Sequence, residues 1–331
     1  MEGVVGASRR TPRYNYLLLY GENTMRRTFA AAGLLLFVAN SLSAESRIDK
    51  NVVYGMYSGL ALLMDVHHPA IPNGHAIVFV PGSGFSAALG FNAAPLKEAP
   101  TVPDFAARLT ASGYTVFAVN HRAVPRFQYP AAVEDVQRAV RFIRANAETY
   151  GIDPDHIGAA GGSSGGHLVS MLGTLDGKGD PEDLDPVNRL SSKVQAVVAL
   201  YAPFDLTIQF KHSDSLGIPE ALFVGARLTE TTPSNAPEYR RYTAASPITY
   251  VSPDDPPFLL FHGDKDTTVP YQQSVAMEAA LRKAGVDVTF VRVPGGKHGR
   301  HFGFAAADPR LPDYLSAISE WFDSHLRRET R

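Results

Sequence analysis

Residues 161–167 have the sequence Gly-Gly-Ser-Ser-Gly-Gly-His, and this stretch decides how the rest of the chain is interpreted. The residues before it, 156–160, form an apolar run typical of a short buried strand, and residues 168–172 open an apolar helical pattern. A strand, a sharp glycine turn and a helix are the context in which Gly-x-Ser-x-Gly indicates a nucleophile elbow. The serine at its tip occupies strained backbone, and flanking glycines prevent clashes there.

Two overlapping frames fit this motif. Ser163 lies between the glycines at positions 161 and 165, whereas Ser164 lies between those at 162 and 166. We favour Ser163 as the nucleophile, because Ser164 then supplies the backbone N–H that follows it and Gly166 lets the first helical turn pack closely. A glycine-rich turn with incidental serines is the alternative when the motif is considered alone.

A carboxylate and an imidazole follow two later predicted strands. The apolar run 258–261 leads into a loop that contains Asp264 and Asp266, and the alternating run 288–293 leads into a glycine loop that contains His298. Serine, aspartate and histidine in this order, each after a strand, match the chain order of α/β-hydrolases. We predict Asp266 as the acid.

Other carboxylates are alternatives to Asp266. Asp264 is its rival in the same loop, and Asp205, which follows the predicted strand 194–200, is a further candidate from a different strand end. The chemistry explains the residue types: a serine hydroxyl needs a base within hydrogen-bond reach. His298 would take its proton and later pass it to the leaving alcohol, while the aspartate fixes the imidazole tautomer and stabilises the imidazolium.

A candidate oxyanion hole follows another predicted strand, 76–80. The next four residues are Pro, Gly, Ser and Gly, and backbone N–H groups in such a loop can point at a developing oxyanion. We predict Ser83, Gly84 and the N–H of Ser164 as its donors, with Gly82 as an alternative donor. An ordinary Pro-Gly turn is the structural alternative.

With these motifs the chain resembles the α/β-hydrolase superfamily, in particular esterases and lipases of the hormone-sensitive-lipase-like, acetyl-xylan-esterase-like and kynurenine-formamidase-like branches. Residues 120–122, 129–136 and 150–157 add to the resemblance, which runs from about Asn51 to about His325. It implies a serine hydrolase that cleaves short-chain, acetyl or aromatic carboxylic esters without a cofactor. Many relatives have His-Gly-Gly-Gly where this chain begins with Pro81, which lacks both an imidazole and an N–H.

The remaining pattern predicts an α/β-hydrolase fold, with a mostly parallel central sheet flanked by helices. A hairpin (52–57 and 60–67) precedes alternating elements: a strand at 115–119 and helices at about 102–112, 131–148, 271–284 and 313–327. Residues 201–257 break this alternation and are predicted to form a small cap or lid. Its aromatic residues are candidates to line the substrate pocket: Phe204, Phe210, Phe223, Tyr239 and Tyr242.

Composition excludes several classes of protein. The 331 residues contain no cysteine, which rules out disulfides, thiol catalysis and cysteine-ligated zinc. The net charge of −2 and the lack of a basic cluster argue against a nucleic-acid partner. The pairs His67-His68 and His298/His301 have no carboxylate at a convincing ligand spacing, so no metal site is predicted. The expected partner is a small-molecule or polysaccharide-linked ester, and the oligomeric state stays open.

The beginning of the chain has the features of an export signal. Residues 25–44 combine a basic start, an apolar run at 30–39 and small residues before Glu45, which predicts a secretory signal peptide. Residues 1–24 are then expected to precede the true start codon, and residues 45–331 to form the catalytic domain of a periplasmic or secreted enzyme. A retained N-terminal anchor is the alternative, although the apolar run is too short to span a membrane.

Two other functions fit the same sequence. An amidase, formamidase or peptidase would keep the fold and change the bond, although peptidases of this type usually carry a large N-terminal propeller, for which this chain has no room. A non-catalytic binding protein would typically lose a member of the triad, whereas all three are present here. His121, Arg122 and His167 are expected to brace the loops of the site.

Overall fold

The computed structural model describes residues 47–209 and 218–327. These residues fall within one unit, Ser43–Arg331. The predicted signal peptide (25–44), the upstream segment (1–24) and Phe210 lie outside the described residues. Within the described part of the chain, no helix is long and apolar enough to cross a membrane.

The described residues contain a central sheet of eight strands in the order β1-β2-β4-β3-β5-β6-β7-β8. The antiparallel pairs are β1–β2 and β2–β4, and the other neighbours are parallel. The strands are β1 (Ile48–Tyr57), β2 (Leu60–His67), β3 (Ala76–Val80), β4 (Thr115–Val119), β5 (Ile157–Gly162), β6 (Ala196–Leu200), β7 (Phe258–Gly263) and β8 (Val288–Val293). Strands β3 to β7 are fully buried, which explains why β3, β4 and β6 are nearly continuous apolar runs rather than alternating ones.

Helices cover both faces of the sheet and define two hydrophobic cores. One face carries α2 (Ala131–Ala145), α4 (Ser164–Thr174) and α8 (Gln272–Ala284), and the other carries α1 (Val102–Ala111) and α9 (Tyr314–Leu326). The short helix α3 (Ala147–Tyr150) follows α2, because the predicted helix 131–148 is interrupted at Asn146. The predicted α/β-hydrolase fold is thereby confirmed. The strand before the elbow extends two residues beyond its predicted end, to Gly162.

The segment predicted as a cap contains, in its described part, three short α-helices and one 3-10 helix: α5 (Leu206–Gln209), α6 (Ile218–Val224), α7 (Pro237–Ala244) and the 3-10 helix Pro247–Tyr250. Phe223 of α6 stacks on Phe85, with ring centroids 4.0 Å apart. The other described aromatics that were predicted to line the pocket also belong to the core or pack against it: Phe204, Tyr239 and Tyr242. These side chains therefore fix the segment to the body of the protein, and a lid role for it stays a prediction.

Candidate active site

The elbow predicted from the sequence lies between the end of β5 and the start of α4. Ser163 has φ 54° and ψ −127°, a strained conformation for a residue with a side chain. Two hydrogen bonds hold it there: its N–H donates to the Leu200 carbonyl at 2.8 Å, and its carbonyl accepts the His167 N–H at 3.0 Å. The strain is thus imposed by the neighbouring strand and by the first turn of the helix.

Close backbone contacts explain the glycines that surround Ser163. A Cβ atom on Gly165 would lie 2.0 Å from the carbonyl oxygen of Val80, and one on Gly161 would lie 2.6 Å from the Gly165 carbonyl. Neither position can hold a side chain, because the opposing atoms are backbone. The elbow is therefore pressed against the end of β3, where the candidate oxyanion loop begins.

The structure brings Ser163, His298 and Asp266 into one hydrogen-bonded line. The Nε2 atom of His298 lies 2.9 Å from Ser163 Oγ, and its Nδ1 atom lies 2.7 Å from Asp266 Oδ2. Because an ionised carboxylate only accepts hydrogen bonds, Nδ1 carries the proton of the neutral ring and Nε2 is left to accept the serine proton. This is the arrangement that general-base activation of a hydroxyl requires.

The Asp266 carboxylate is ionised although its side chain has no exposed surface. Burial raises its pKa, but hydrogen bonds from His262 and His298, together with the Val269 N–H, outweigh burial and hold the pKa at about 2. Its Oδ1 atom accepts the N–H groups of Thr268 and Val269, each at 2.9 Å. The carboxylate is therefore charged and fixed at neutral pH.

The two rival carboxylates are occupied elsewhere. Asp264 pairs with Arg292, whose Nη2 lies 2.6 Å from Oδ2, and accepts the Gly295 N–H at 2.8 Å. Asp205 accepts both the N–H and the hydroxyl of Thr207, which places it at the start of α5. Both carboxylates thus have local structural partners, and neither is hydrogen-bonded to His298.

The candidate oxyanion loop packs directly on the elbow. A Cβ atom on Gly82 would lie 2.6 Å from the Gly162 carbonyl oxygen and 2.9 Å from Ser163 Cβ. The N–H of Ser83 donates to Ser164 Oγ at 2.9 Å, while Ser83 Oγ is buried and has no hydrogen-bond partner. The Ser164 hydroxyl thus ties the loop to the elbow, a contact that the motif alone does not reveal.

A cleft of about 370 Å³ opens above these groups. Besides Ser163, His298 and residues 82–84, its walls include Tyr201, at the first position of the predicted cap. The other side chains of the wall come from outside the cap: Phe79, Thr101, Phe105, Thr268 and Arg300. Phe79 and Phe105 stack with centroids 4.4 Å apart, and Arg300 pairs with Asp104 at 2.7 Å. Sequence analysis missed this wall, because α1 and Tyr201 reach the site through the topology rather than through a local motif.

The buried His167 ring packs against aromatic residues next to the oxyanion loop. Its Nε2 atom donates to the Ala245 carbonyl at 2.7 Å, and its ring meets those of Phe85 and Phe223 edge to face, at 5.0 and 5.6 Å. Burial lowers the pKa of His167 to about 4, against a smaller opposing effect of the Ala245 carbonyl. The ring is therefore neutral at pH 7 and links α4, the oxyanion loop and α6.

Arg122 was expected to hold the loops of the site, but its side chain is bonded to α2 instead. Arg122 forms a buried ion pair with Asp135 on α2, with Nε 2.8 Å from Oδ1. The His121 Nδ1 atom is 2.9 Å from the Arg122 carbonyl. Across the described ranges, no group of three or more histidine, aspartate or glutamate side chains is arranged to hold a metal ion.

The sequence is similar to a known family model and to proteins named as esterases. A family model described as BD-FAE matches residues 64–281. Esterase LipQ of Mycobacterium tuberculosis is 34% identical over 193 residues, which are 58% of this chain and 44% of that protein. An acetylxylan esterase of Xylanibacter ruminicola is 25% identical over 308 residues, 91% of this chain and 55% of that protein. The chain thus spans about half the length of the curated relatives it matches.

Solved structures resemble the described fold over most of their length. A truncated carbohydrate esterase from gut microbiota has a TM-score of 0.68 and 29% identity, covering 87% of this chain and 99% of that one. An acetyl ester-xyloside bifunctional hydrolase from Caldicellulosiruptor lactoaceticus has a TM-score of 0.67 and 25% identity, covering 83% and 95%.

Proposed function

The chain belongs to the BD-FAE family of α/β-hydrolase esterases, and on that premise we propose that it hydrolyses carboxylic esters through an acyl-enzyme on Ser163. The observation that carries the proposal is the line of hydrogen bonds from Ser163 Oγ through His298 to Asp266, which faces an open cleft. The relatives named as esterases favour an ester over an amide bond.

The reaction follows from this geometry in two halves. Ser163 Oγ attacks the carbonyl carbon as its proton moves to His298 Nε2, and the imidazolium is stabilised by the adjacent Asp266 carboxylate. The tetrahedral oxyanion collapses, the bond to the alcohol oxygen breaks, and His298 protonates that oxygen. A water molecule, deprotonated by His298, then attacks the acyl-enzyme and releases the carboxylic acid and free Ser163.

Backbone donors stabilise the negative charge that develops on the carbonyl oxygen. We assign this role to the N–H groups of Gly84 and Ser164 and to that of Ser83, which in the free enzyme donates to Ser164 Oγ. The Ser164 N–H lies at the first residue of α4, where helical N–H groups have no partner within the helix. Each oxyanion donor typically contributes about a hundredfold or more to kcat.

The size and lining of the cleft favour a small acyl group. Its volume of about 370 Å³ is bounded by the stacked rings of Phe79 and Phe105, which leave a short apolar wall beside the nucleophile. Relatives named for acetylxylan and carbohydrate esters suggest that the acyl group is acetyl or another short or aromatic acid on a small molecule or a polysaccharide. The segment 201–257 would then cover the alcohol side.

We also propose that the protein is exported. The pattern in residues 25–44 supports cleavage near Ala44 and release of residues 45–331 to the periplasm or the medium. N-terminal sequencing of the protein recovered from its natural host tests this. A mature N-terminus near Glu45 would support export, and an intact residue 25 or an earlier one would contradict cleavage.

The activity is tested with p-nitrophenyl esters of increasing chain length, alongside acetylated xylan and methyl ferulate. We expect the highest kcat/KM on short acyl chains, and its loss in Ser163→Ala. The matched control is Ser170→Ala, which removes a buried serine hydroxyl from the same helix, bonded only to the Gly166 carbonyl. Full activity in Ser163→Ala would contradict the proposal, as would wild-type protein that cleaves none of these esters.

A further inference from the structure

His262 is a buried imidazole next to the site that the reaction above does not use. It stands on β7, four residues before Asp266, and has no exposed surface. Its Nε2 atom lies 2.8 Å from the Val269 carbonyl and its Nδ1 atom 2.7 Å from Ser274 Oγ. Since a carbonyl only accepts, Nε2 carries the proton and Nδ1 accepts the Ser274 hydroxyl proton.

These two hydrogen bonds join three parts of the chain. His262 itself is on β7, Val269 is in the loop that carries Asp266, and Ser274 is in the first turn of α8. The end of the loop 264–270 that leads into α8 is therefore tied to the strand before the loop and, through the ring, to the helix itself. A loop whose two ends are linked in this way can hold one carboxylate position.

The same ring also faces the carboxylate. The protonated Nε2 of His262 lies 3.3 Å from Asp266 Oδ2, the oxygen that accepts from His298. Both side chains are fully buried, so this contact operates away from solvent, where the attraction between a polar hydrogen and a charge is strong. Asp266 Oδ2 thus lies between two imidazole N–H groups, and Oδ1 accepts the two backbone N–H groups of its own loop.

We propose that His262 is a positioning residue that holds Asp266 Oδ2 in line with His298. The proposal rests on the esterase mechanism above, because its effect passes through the Asp266–His298 pair. His262 touches neither the nucleophile nor the cleft. Its influence on the reaction is therefore to keep the carboxylate, and through it the His298 ring, in the one orientation that lets Nε2 reach Ser163.

The principal variant is His262→Leu, compared with His262→Gln. Leucine removes both ring nitrogens, whereas the glutamine amide keeps an N–H donor near the position of Nε2. We expect His262→Leu to lower kcat/KM by about 10- to 100-fold, since small misplacements of catalytic groups cost that much, and His262→Gln to recover most of the loss. Equal losses in the two variants would overturn the assignment of the donor.

The pH profile separates positioning from a general loss of structure. The acid limb of kcat/KM reports the protonation of the essential base in the free enzyme. If the carboxylate is less well held, the imidazolium loses stabilisation and the limb moves to lower pH in His262→Leu. A limb that stays at its wild-type pH while the melting temperature falls would show that His262 serves only stability, and would overturn the proposal.

A double-mutant cycle with Asp266→Asn shows whether the effect passes through the carboxylate. We expect His262→Leu/Asp266→Asn to have the activity of Asp266→Asn alone, within about threefold, because residues that act as a unit are non-additive. Fully additive losses would overturn the proposal. An active Asp266→Asn single variant would instead refute the proposed triad, so the two failures are distinguishable.

Ser274→Ala provides a test if the His262 variants do not fold. It keeps the imidazole and removes the hydroxyl that ties the ring to α8. We expect a fall in kcat/KM of about 3- to 10-fold with the same direction of shift in the acid limb. The control is Ser319→Ala, a buried helical serine bonded to Ser112 Oγ, far from the site in α9. Identical profiles for the two serine variants would contradict the proposal.

Discussion

The two sides of the candidate site are held in different ways. On the acid–base side, the Asp266 carboxylate contacts two imidazole rings and two backbone N–H groups, and its pKa is held at about 2. On the oxyanion side, the side-chain tie between loop and elbow is the hydrogen bond from the Ser83 N–H to Ser164 Oγ, and Ser83 Oγ is buried without a partner. One side is fixed by a side-chain network, and the other depends mainly on backbone geometry.

This difference predicts how strongly substitutions on each side affect activity. A fully satisfied buried network is stiff, and removing one member leaves other polar atoms unpaired. A loop held by close packing and a single tie can shift as a body. We therefore expect large, coupled effects in the acid–base side and graded effects in the oxyanion side.

The largest effect is expected from Asp266→Asn. The amide cannot hold Nδ1–H as a carboxylate does, so the His298 ring loses its correct tautomer and kcat falls by about 10⁴-fold. Steady-state kinetics on p-nitrophenyl acetate measure this. The matched control is Asp264→Asn in the same loop, which breaks only the Arg292 pair and is expected to stay within about threefold of wild type. Reversed losses in the two variants would make Asp264 the acid.

A backbone change on the oxyanion side should have the next largest effect. In Gly82→Ala the new methyl group would meet the Gly162 carbonyl oxygen and Ser163 Cβ, so the loop must move away from the elbow. We expect kcat to fall by about 10²- to 10³-fold with a small change in KM, as on loss of an oxyanion donor. Unchanged kcat would show that the N–H groups of this loop do not stabilise the transition state.

The side-chain tie on the oxyanion side is tested by Ser164→Ala. The variant keeps the Ser164 N–H but removes the acceptor of the Ser83 N–H, so the loop is less well oriented and kcat falls by about tenfold. Ser86→Ala is the control, since Ser86 Oγ donates to the Ser83 carbonyl from an exposed position. A rise in kcat would show that the Ser164 hydroxyl competes with the oxyanion for the Ser83 N–H.

At mildly acidic pH the two sides are expected to differ in their effect on the free energy of unfolding, because His167 on the oxyanion side gains a proton and Asp266 on the acid–base side does not. The buried His167 ring has a pKa of about 4, well below the unfolded value near 6.5, so the unfolded chain binds its proton first as pH falls. The neutral His167 ring makes its full contribution to the free energy of unfolding above pH 6.5. As the pH falls to 4, that free energy decreases by about 3 kcal/mol. The Asp266 carboxylate stays ionised across this range.

Urea unfolding of wild type and His167→Gln between pH 4 and 7 measures this contribution. Glutamine can donate to the Ala245 carbonyl but does not titrate, so the difference in unfolding free energy between the two proteins should change with pH. A constant difference across the range would contradict a titrating His167. All other side chains are the same in the two proteins, so their dependence on pH cancels in the comparison.

There is a physical reason why the sequence alone indicates that the acid–base groups lie close together. Ser163, Asp266 and His298 each follow an apolar strand run, and parallel strands bring such positions to one edge of the sheet. The order of strands and helices along the chain follows from the same periodicity, although β1 and β5 extend beyond their predicted bounds. The ambiguity between Asp264 and Asp266 could not be resolved, because both occupy the loop after β7 and only the Arg292 and His298 contacts distinguish them.

The parts that sequence analysis missed depend on contacts between distant segments. His262 looked like a strand residue, and its bonds to Val269 and Ser274 exist only once β7, the loop and α8 are assembled. The Ser83–Ser164 bond joins positions 81 residues apart. The cap aromatics were expected at the pocket, but Phe223 is buried against Phe85, since large rings near a core gain more by packing there than by lining a cleft.

Mapping the site of covalent labelling tests the central claim most directly. Intact protein treated with a fluorophosphonate should gain one adduct per chain, and peptide mass spectrometry should place it on Ser163, with labelling abolished in Ser163→Ala and retained in Ser164→Ala. An adduct on Ser164, or a folded wild-type protein that does not react, would contradict the account.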